Sequence, residues 1–314
     1  MKLSDIGEDG LIDKIIKILN SRHIGDDTAH VSINGLELSL TCDALIEGRH
    51  FLRAYAPSFV GWKAISVNVS DIVASGASPL WALVSISTPD MEVSYFESLY
   101  EGIKSACEFY GLEVVGGNLS SGDFIAVDVF MVGLTKRALR RSGASPGEGV
   151  FVSGTLGDSK AGLEILLSDK KELKEFEKLL IQRHLRPTAR IDMLEHIVRY
   201  ASACMDISDG LLKDIYRLAK RSKVGIELDL EKIPISRELK MYASLNSKNP
   251  LEFALYGGED YELLWTQSES SVNVFLSMQQ IGRVVEGEGV YIKGIGPVGD
   301  FGFDHFAPKA RFII

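Results

Sequence analysis

The sequence predicts a protein of two domains that each mix helices and strands. Its 314 residues are too many for one typical domain and enough for two separate cores. Helix-like and strand-like patterns follow one another in both halves. Between them, residues 142–149 hold three glycines and a proline, which favours a linker. We therefore expect domains of residues 1–140 and 141–314, joined near residue 145.

In the first half, apolar residues at helical spacing predict an opening helix over residues 10–22. A second helical pattern over 58–75 ends at Gly76 with Pro79 just beyond, which is a normal stop signal. The remaining predicted elements are strands at 36–41, 80–87, 114–115 and 124–135, and a helix at 93–110.

The second half is predicted to begin with a strand at 150–153, followed by a glycine-rich turn and a helix over 159–167. A charged helix over 170–183 is ended by Pro187, before another helix. Further strands are expected at 225–230, 261–266 and 290–292.

Composition narrows the class of function. The net charge of −9 disfavours nucleic-acid binding, which needs clustered Lys and Arg, and no apolar run approaches the roughly 20 residues that span a bilayer. Three widely spaced cysteines, Cys42, Cys107 and Cys204, and a polar N-terminus unlike a signal peptide indicate a cytoplasmic protein. An acidic enzyme binds polyphosphates when divalent cations bridge the two, so the positions of its aspartates matter.

Aspartates recur beside glycine or serine at the ends of predicted segments: Asp26, Asp27, Asp43, Asp71, Asp206 and Asp209. Magnesium takes hard oxygen ligands from a few carboxylates and from substrate phosphates, so several aspartates meeting in one cleft would suit it. Such residues are also common in turns and helix N-caps. For Asp206 and Asp209 the metal interpretation is favoured, because an apolar run ends at the first and helical periodicity begins after the second.

Asp71 lies within an apolar helical pattern, where an unpaired charge is costly, so it needs either a cation or a structural salt bridge. Gly116, Gly117 and Asn118 follow a short predicted strand and suit either a phosphate contact or a plain turn. For the glycine turn at 154–157, packing is favoured over anion binding.

Two further segments have both a functional and a structural interpretation. The acids at 259–262 follow two glycines and suit either a site or a solvated turn, and His50 suits either an anion contact or a structural role. Neither a Walker motif nor a protein-kinase His-Arg-Asp motif occurs, and no Gly-x-Ser-x-Gly elbow supports nucleophilic catalysis.

Taken together and in order, these motifs resemble the thiamine-monophosphate kinase family, within the superfamily of aminoimidazole ribonucleotide synthetase and selenophosphate synthetase. The resemblance covers almost the whole chain. The Gly-Gly-Glu-Asp-Tyr-Glu segment at 257–262 and the Asp-His-Phe segment at 304–306 are the most particular to the kinases. The matching motifs lie at residues 24–27, 42–43, 47–51, 62–64, 68–79, 116–118, 141–144, 152–158, 183–187, 206–211, 257–263 and 302–306.

The resemblance implies an α+β protein of the aminoimidazole ribonucleotide synthetase-like fold, with mixed sheets, flanking helices and homodimers that pair through their N-terminal sheets. It implies a magnesium cluster on Asp27, Asp43, Asp71 and Asp206, with Thr41 assisting, Cys42 contributing its backbone oxygen, and Asp209 holding another ion. It implies that ATP contacts Gly117, Asn118, Arg141 and Ser208. It also implies that thiamine monophosphate contacts His50, Glu259 and Phe303, where an aromatic ring suits a cationic thiazolium.

Asn118 departs from the family, which usually has aspartate there and also uses it as a metal ligand. Asparagine offers an oxygen without charge, so we expect a weaker metal site at this position. The implied reaction is direct in-line transfer from MgATP to thiamine monophosphate, giving ADP and thiamine diphosphate. The alternatives are another ATP-dependent enzyme of the superfamily, or a non-catalytic nucleotide-binding paralogue, which ATP binding without transfer, restored by Asn118→Asp, would support.

Overall fold

The computed structural model describes residues 2–168, 170–269, 278–299 and 302–303. The helices within these ranges are α1 Gly7–Leu19, α2 Pro57–Ala74, α3 Val93–Tyr110, α4 Asp158–Leu167, α5 Glu175–Leu185, α6 Leu194–Tyr200, α7 Leu211–Ser222, α8 Arg237–Leu245 and α9 Pro250–Tyr256. The strands are β1 Ala29–Ile33, β2 Leu36–Ile46, β3 Ser78–Thr88, β4 Glu113–Ser121, β5 Ala126–Thr135, β6 Gly149–Val152, β7 Ala203–Asp206, β8 Gly225–Leu228, β9 Leu263–Gln267, β10 Gln279–Val285, β11 Gly289–Ile292 and β12 Gly296–Val298.

The first sheet has the order β1-β2-β5-β3-β4, in which only the β3–β4 pair is parallel. Its inner face is covered by α2, whose residues from Val60 to Ala74 are buried almost without interruption. Helix α2 contacts this sheet on one side and the second half of the chain on the other. A helix placed in this way is buried on all sides, which fits its mainly apolar sequence. The α2–α3 contact requires glycine, because a Cβ on Gly61 would lie 2.0 Å from the Leu99 carbonyl oxygen.

The second sheet has the order β12-β11-β8-β10-β6-β9-β7, with β8–β11 as its parallel pair. Both sheets therefore mix strand directions and carry flanking helices, which confirms the predicted fold class. The predicted domain boundary falls between the last strand of the first sheet and the first strand of the second, and stays a prediction. Among the described residues, no helix has both the length and the apolar composition that spanning a bilayer requires.

Contacts between the two halves position the site. Ser70 on α2 donates a hydrogen bond to Asp206 at the end of β7, with 2.7 Å between the oxygens. The Arg137 guanidinium donates to the carbonyl oxygens of Val198 and Ala201, each at 2.6 Å. One continuous apolar core also contains residues of both halves. The end of α2 is thus fixed against the end of β7.

The prediction that residues 116–118 follow a short strand as a turn is wrong. Strand β4 runs through them to Ser121, because it pairs in parallel with β3 over that length. Gly117 is required by this pairing, since a Cβ there would lie 1.8 Å from the Val84 carbonyl oxygen. The sequence analysis also missed β1, β10, β12, α8 and α9, which are short or lack a clear period.

Candidate active site

Three carboxylates, of which one belongs to a buried residue and two to half-buried residues, meet where the two halves of the chain join. One carboxylate oxygen each of Asp27, Asp71 and Asp206 lies within 4.8 Å of the other two. Asp27 precedes β1, Asp71 is on α2 and Asp206 ends β7. All three are candidate metal ligands in the sequence, and the fold brings them together.

Burial raises the pKa of each of these carboxyls, and neighbouring aspartates add to the effect. For Asp71 the pKa lies well above its ordinary value because of burial and then of the neighbouring Asp43 and Asp206. Burial, and then the negative charge of Asp27, raise the pKa of Asp206 well above its ordinary value. Burial also raises the pKa of Asp27, although the Arg141 guanidinium opposes this. Three carboxylates beside one paired guanidinium leave negative charge, and their hard oxygen donors fit a divalent cation.

Hydrogen bonds hold the three carboxylates in place. The Thr41 hydroxyl donates to Asp71 Oδ2 at 2.6 Å, and Ser70 fixes Asp206 as described above. Arg141 donates to Asp27 Oδ1 from Nη2 at 2.5 Å and from Nε at 3.0 Å. Each carboxylate of the cluster is therefore held by at least one side chain of a neighbouring segment.

Strand β2 places Thr41, Cys42 and Asp43 beside the cluster. The Asp43 backbone amide donates to Asn68 Oδ1 on α2 at 3.1 Å. Successive side chains of a strand point to opposite faces, so the exposed Cys42 side chain points away from the face that holds Thr41 and Asp43. This agrees with a role for the Cys42 backbone rather than its sulfur.

Asp209 lies outside the three-carboxylate cluster. Its Oδ2 is 2.6 Å from Arg217 Nη1 and 3.1 Å from Lys213 Nζ. The backbone amides of Ser208 and Asp209 donate to Asp214 Oδ2 at 3.1 and 3.0 Å. Burial, and then Asp209, raise the pKa of Asp214 to about 7. The segment that holds the predicted ATP contact Ser208 is thus rigid and rich in paired charge.

Phe303 lies against this segment. Its backbone amide donates to the Asp209 carbonyl oxygen at 3.1 Å, and its own carbonyl oxygen accepts from Lys213 Nζ. The side chain is half-buried. Residues 304–306, which carry part of the predicted family signature, lie outside the described residues.

His50 and Glu259 are joined through a lysine that the sequence analysis did not assign. Lys63 Nζ lies 2.6 Å from Glu259 Oε1 and donates to the His50 carbonyl oxygen at 3.4 Å. The His50 Nδ1 accepts from the Ile46 amide at 2.9 Å. Burial raises the pKa of Glu259, but Lys63 and the nearby His184 lower it further, so the carboxylate is ionised. Two signals in the sequence could have found Lys63: a charge inside an apolar helix, and its place in the matching motif at residues 62–64.

The solvated-turn interpretation of residues 259–262 is wrong, since Asp260 and Glu262 are 4% and 2% exposed. Asp260 accepts from the Gly157 amide at 2.8 Å and so occupies the start of α4 with a protein carboxylate. That contact supports the packing interpretation of the 154–157 turn. Glu262 is held by Arg183 at 2.8 Å and Arg190 at 2.7 Å.

Gly117 and Asn118 are not brought to the carboxylate cluster within one chain. They lie on the edge strand β4, three strands away from Asp43 on β2, or about 14 Å at the usual strand spacing. The register places Asn118 in line with Asp128, on the face of the sheet turned away from α2. Asp43 lies on the other face.

Comparison with known proteins gives concordant results. The family model for the N-terminal domain of AIR synthase related protein matches residues 25–135, and that for the C-terminal domain matches residues 145–295. The chain is 58% identical to the thiamine-monophosphate kinase of Aquifex aeolicus over 307 residues, covering 98% of this chain and 100% of that protein. It is 34% identical to the thiamine-monophosphate kinase of Salmonella typhimurium, covering 90% and 91%.

Among solved structures, AaThiL complexed with AMPPCP and TMP superimposes with a TM-score of 0.95 at 58% identity. That match covers 97% of this chain and 99% of the other. The likeness therefore extends over both sheets and over the junction that holds the carboxylates.

Proposed function

This chain belongs to the thiamine-monophosphate kinase family, and from that premise we propose how its site works. The chain transfers the γ-phosphoryl group of ATP to thiamine monophosphate, giving ADP and thiamine diphosphate. The observation that carries this assignment is the full-length relation at 58% identity to a kinase of that name, together with the AMPPCP and TMP bound in the matching structure. Neither another enzyme of the superfamily nor a non-catalytic paralogue is favoured by these relatives.

We propose that Asp27, Asp71 and Asp206 hold magnesium, with Asp43, Thr41 and the Cys42 carbonyl beside them and Asp209 at a separate position. Bound magnesium would neutralise the repulsion between the two phosphate groups and stabilise charge in the transition state. The raised pKa values of the three clustered carboxyls support this, because such a cluster is more stable with a cation than without one.

The acceptor phosphate oxygen attacks the γ-phosphorus in line with the bond to ADP. The new bond joins the acceptor oxygen to phosphorus, and the bond to the β–γ bridging oxygen breaks. A phosphate monoester has its second pKa near about 6, so the acceptor is already ionised at pH 7 and no general base is needed. The protein's part is to align the two substrates, with Arg141 and Ser208 on the nucleotide.

We propose that His50, Glu259 and Phe303 bind thiamine monophosphate. The ionised Glu259 suits the cationic thiazolium, and the Phe303 ring offers it a π-face. Both residues lie in the second half of the chain, whereas His50 follows β2 in the first. The substrate would therefore bridge the two halves beside the carboxylate cluster.

Purified protein with ATP, magnesium and thiamine monophosphate is expected to form thiamine diphosphate, measured by chromatography.

In the same assay, Phe303→Ala is expected to raise KM for thiamine monophosphate about tenfold, because a desolvated cation–π contact is worth about 1–2 kcal/mol. The matched control is Tyr291→Ala, on β11 at the far side of the second sheet. Unchanged turnover in Phe303→Ala would favour another enzyme of the superfamily.

We also propose a homodimer that pairs through the first sheet. Strand β4 ends that sheet, with its Asn118 on the face turned away from α2. On β3, Trp81 and Leu83 are 48% and 43% exposed. An apolar face that continues to an unpaired edge strand is typical of an interface. Pairing there would also bring Asn118 toward a second copy of the chain.

Leu83→Lys is expected to convert the dimer to a monomer, since it places a charge in the apolar interface. Sedimentation velocity would measure the change. Ile295→Lys, at a residue 71% exposed beside β12, is the control and should leave the dimer intact. A Leu83→Lys protein that remains dimeric would contradict this interface.

We place the enzyme in the cytoplasm, a proposal supported by its thiols. Cys42, Cys107 and Cys204 are all free, and two of them are buried in the core. Free thiols persist in a reducing compartment.

A further inference from the structure

Lys63 is a buried lysine tied to two residues of the proposed substrate site. It is 3% exposed, and its ammonium contacts the Glu259 carboxylate and the His50 carbonyl oxygen at the distances given above. A buried ammonium is costly unless it is paired. Its partners come from both halves of the chain, so a single charge on α2 links the two sides of the site.

Lys63 forms an ion pair with Glu259, and Lys160 also adds positive charge near this carboxylate. His184 also approaches Glu259, with 3.4 Å between Nδ1 and Oε2, but burial lowers the pKa of this histidine to about 4. His184 is therefore neutral at pH 7. A cationic thiazolium that reaches Glu259 meets a carboxylate already paired with an ammonium. Two cations beside one half-buried carboxylate repel each other, so binding of the ring favours departure of Lys63.

Helix α2 fixes where that ammonium can go. Lys63 and Ser70 are seven residues apart, which places them on one face of the helix and about 10 Å apart along its axis. Ser70 contacts Asp206 in the carboxylate cluster. A substrate whose ring lies at Glu259 and whose phosphate points to the cluster passes along this face. Lysine has a long flexible stem, so its ammonium can follow the phosphate.

We propose that Lys63 is a specificity-determining residue that pairs with Glu259 in the empty site and transfers its ammonium to the phosphate of thiamine monophosphate when the cationic ring takes its place. The inference rests on the proposed function and deepens it. Such an exchange selects ligands that carry both a cationic ring and a phosphate. Thiamine, which lacks the phosphate, would displace Lys63 and leave a buried ammonium unpaired, at a cost of several-fold or more in affinity.

The test compares binding of thiamine monophosphate and thiamine to the full chain by calorimetry. Lys63→Met keeps the length of the side chain and removes its charge. We expect this variant to bind thiamine monophosphate at least tenfold more weakly, and to bind thiamine as tightly as the wild type or more tightly. The preference for the phosphorylated ligand should therefore fall at least tenfold. KM for ATP should change less than twofold. Lys178→Met, at an exposed residue on α5, is the control.

If the role of Lys63 were purely structural, Lys63→Met would weaken the binding of both ligands equally. That result would overturn the proposal. Because Lys63→Met removes the ion pair with Glu259, the double variant Lys63→Met/Glu259→Gln is measured as well. It should regain thermal stability without regaining the preference for thiamine monophosphate. A double variant that regains the preference would also overturn the proposal.

Failure of the wild type to bind thiamine monophosphate would refute the proposed function. If the wild type binds it and Lys63→Met has an unchanged preference, only the role of Lys63 is refuted.

Discussion

Asp206→Asn is expected to lower kcat about a thousandfold while leaving the metal-free protein at least as stable as the wild type. Metal-assisted charge stabilisation contributes several kcal/mol to phosphoryl transfer, and about 1.4 kcal/mol corresponds to tenfold in rate. The stability follows from the raised pKa of Asp206, which shows that its ionised form is costly in the folded state. Asparagine keeps an oxygen that accepts from Ser70.

Steady-state kinetics and thermal melting with and without magnesium would test this. The magnesium-dependent rise in Tm should be smaller in Asp206→Asn than in the wild type. Asp90→Asn, at an exposed residue before α3, is the matched control and should change neither quantity. A variant that keeps more than a tenth of the wild-type kcat would rule out Asp206 as part of the proposed metal site.

In a chelator, the free energy of unfolding is expected to fall as pH rises from about 5 to 8. Asp27, Asp71 and Asp206 have folded-state pKa values above the ordinary value of 3.8. Between the two values the folded chain holds protons that the unfolded chain has released, so stability is full at low pH and is lost as pH rises through the folded pKa. Asp214, with a pKa of about 7, extends this window toward pH 8.

Groups whose pKa is lowered act in the opposite sense: carboxylates do so below this window, and the buried His30 and His184 do so only below their ordinary value of 6.5. Glu259 is one of them, and its contribution is lost only as pH falls below its ordinary value of 4.5. Urea unfolding at pH 5, 6, 7 and 8 would measure the slope. Magnesium should make this slope with pH smaller, because it favours the ionised carboxylates. The Asp71→Asn substitution should also make the slope smaller when no magnesium is present. A stability that rises from pH 5 to 8 in chelator would contradict the shifted pKa values.

Local signals in the sequence were enough for some of the elements around the site, but not for β1 or the length of β4. The helix predicted over 93–110 matches α3, because Gly111 adopts the left-handed conformation that ends it. Asp71 was singled out because a carboxylate on an apolar helix needs a partner. Asp206 was singled out because it ends an apolar run, which is the buried strand β7. These inferences need only the chain's own periodicity and the cost of burying charge.

The partners of each charge were decided by the tertiary structure. Nothing near Lys63 in the sequence indicates that it meets Glu259, and Asp260 resembled a solvated acid until its contact with the start of α4 was seen. Backbone sterics and side-chain period act over a few residues, so a sequence window determines helices, strands and their buried faces. Charge pairing depends on distances between residues far apart in the chain, and only packing of the two sheets around α2 sets those distances.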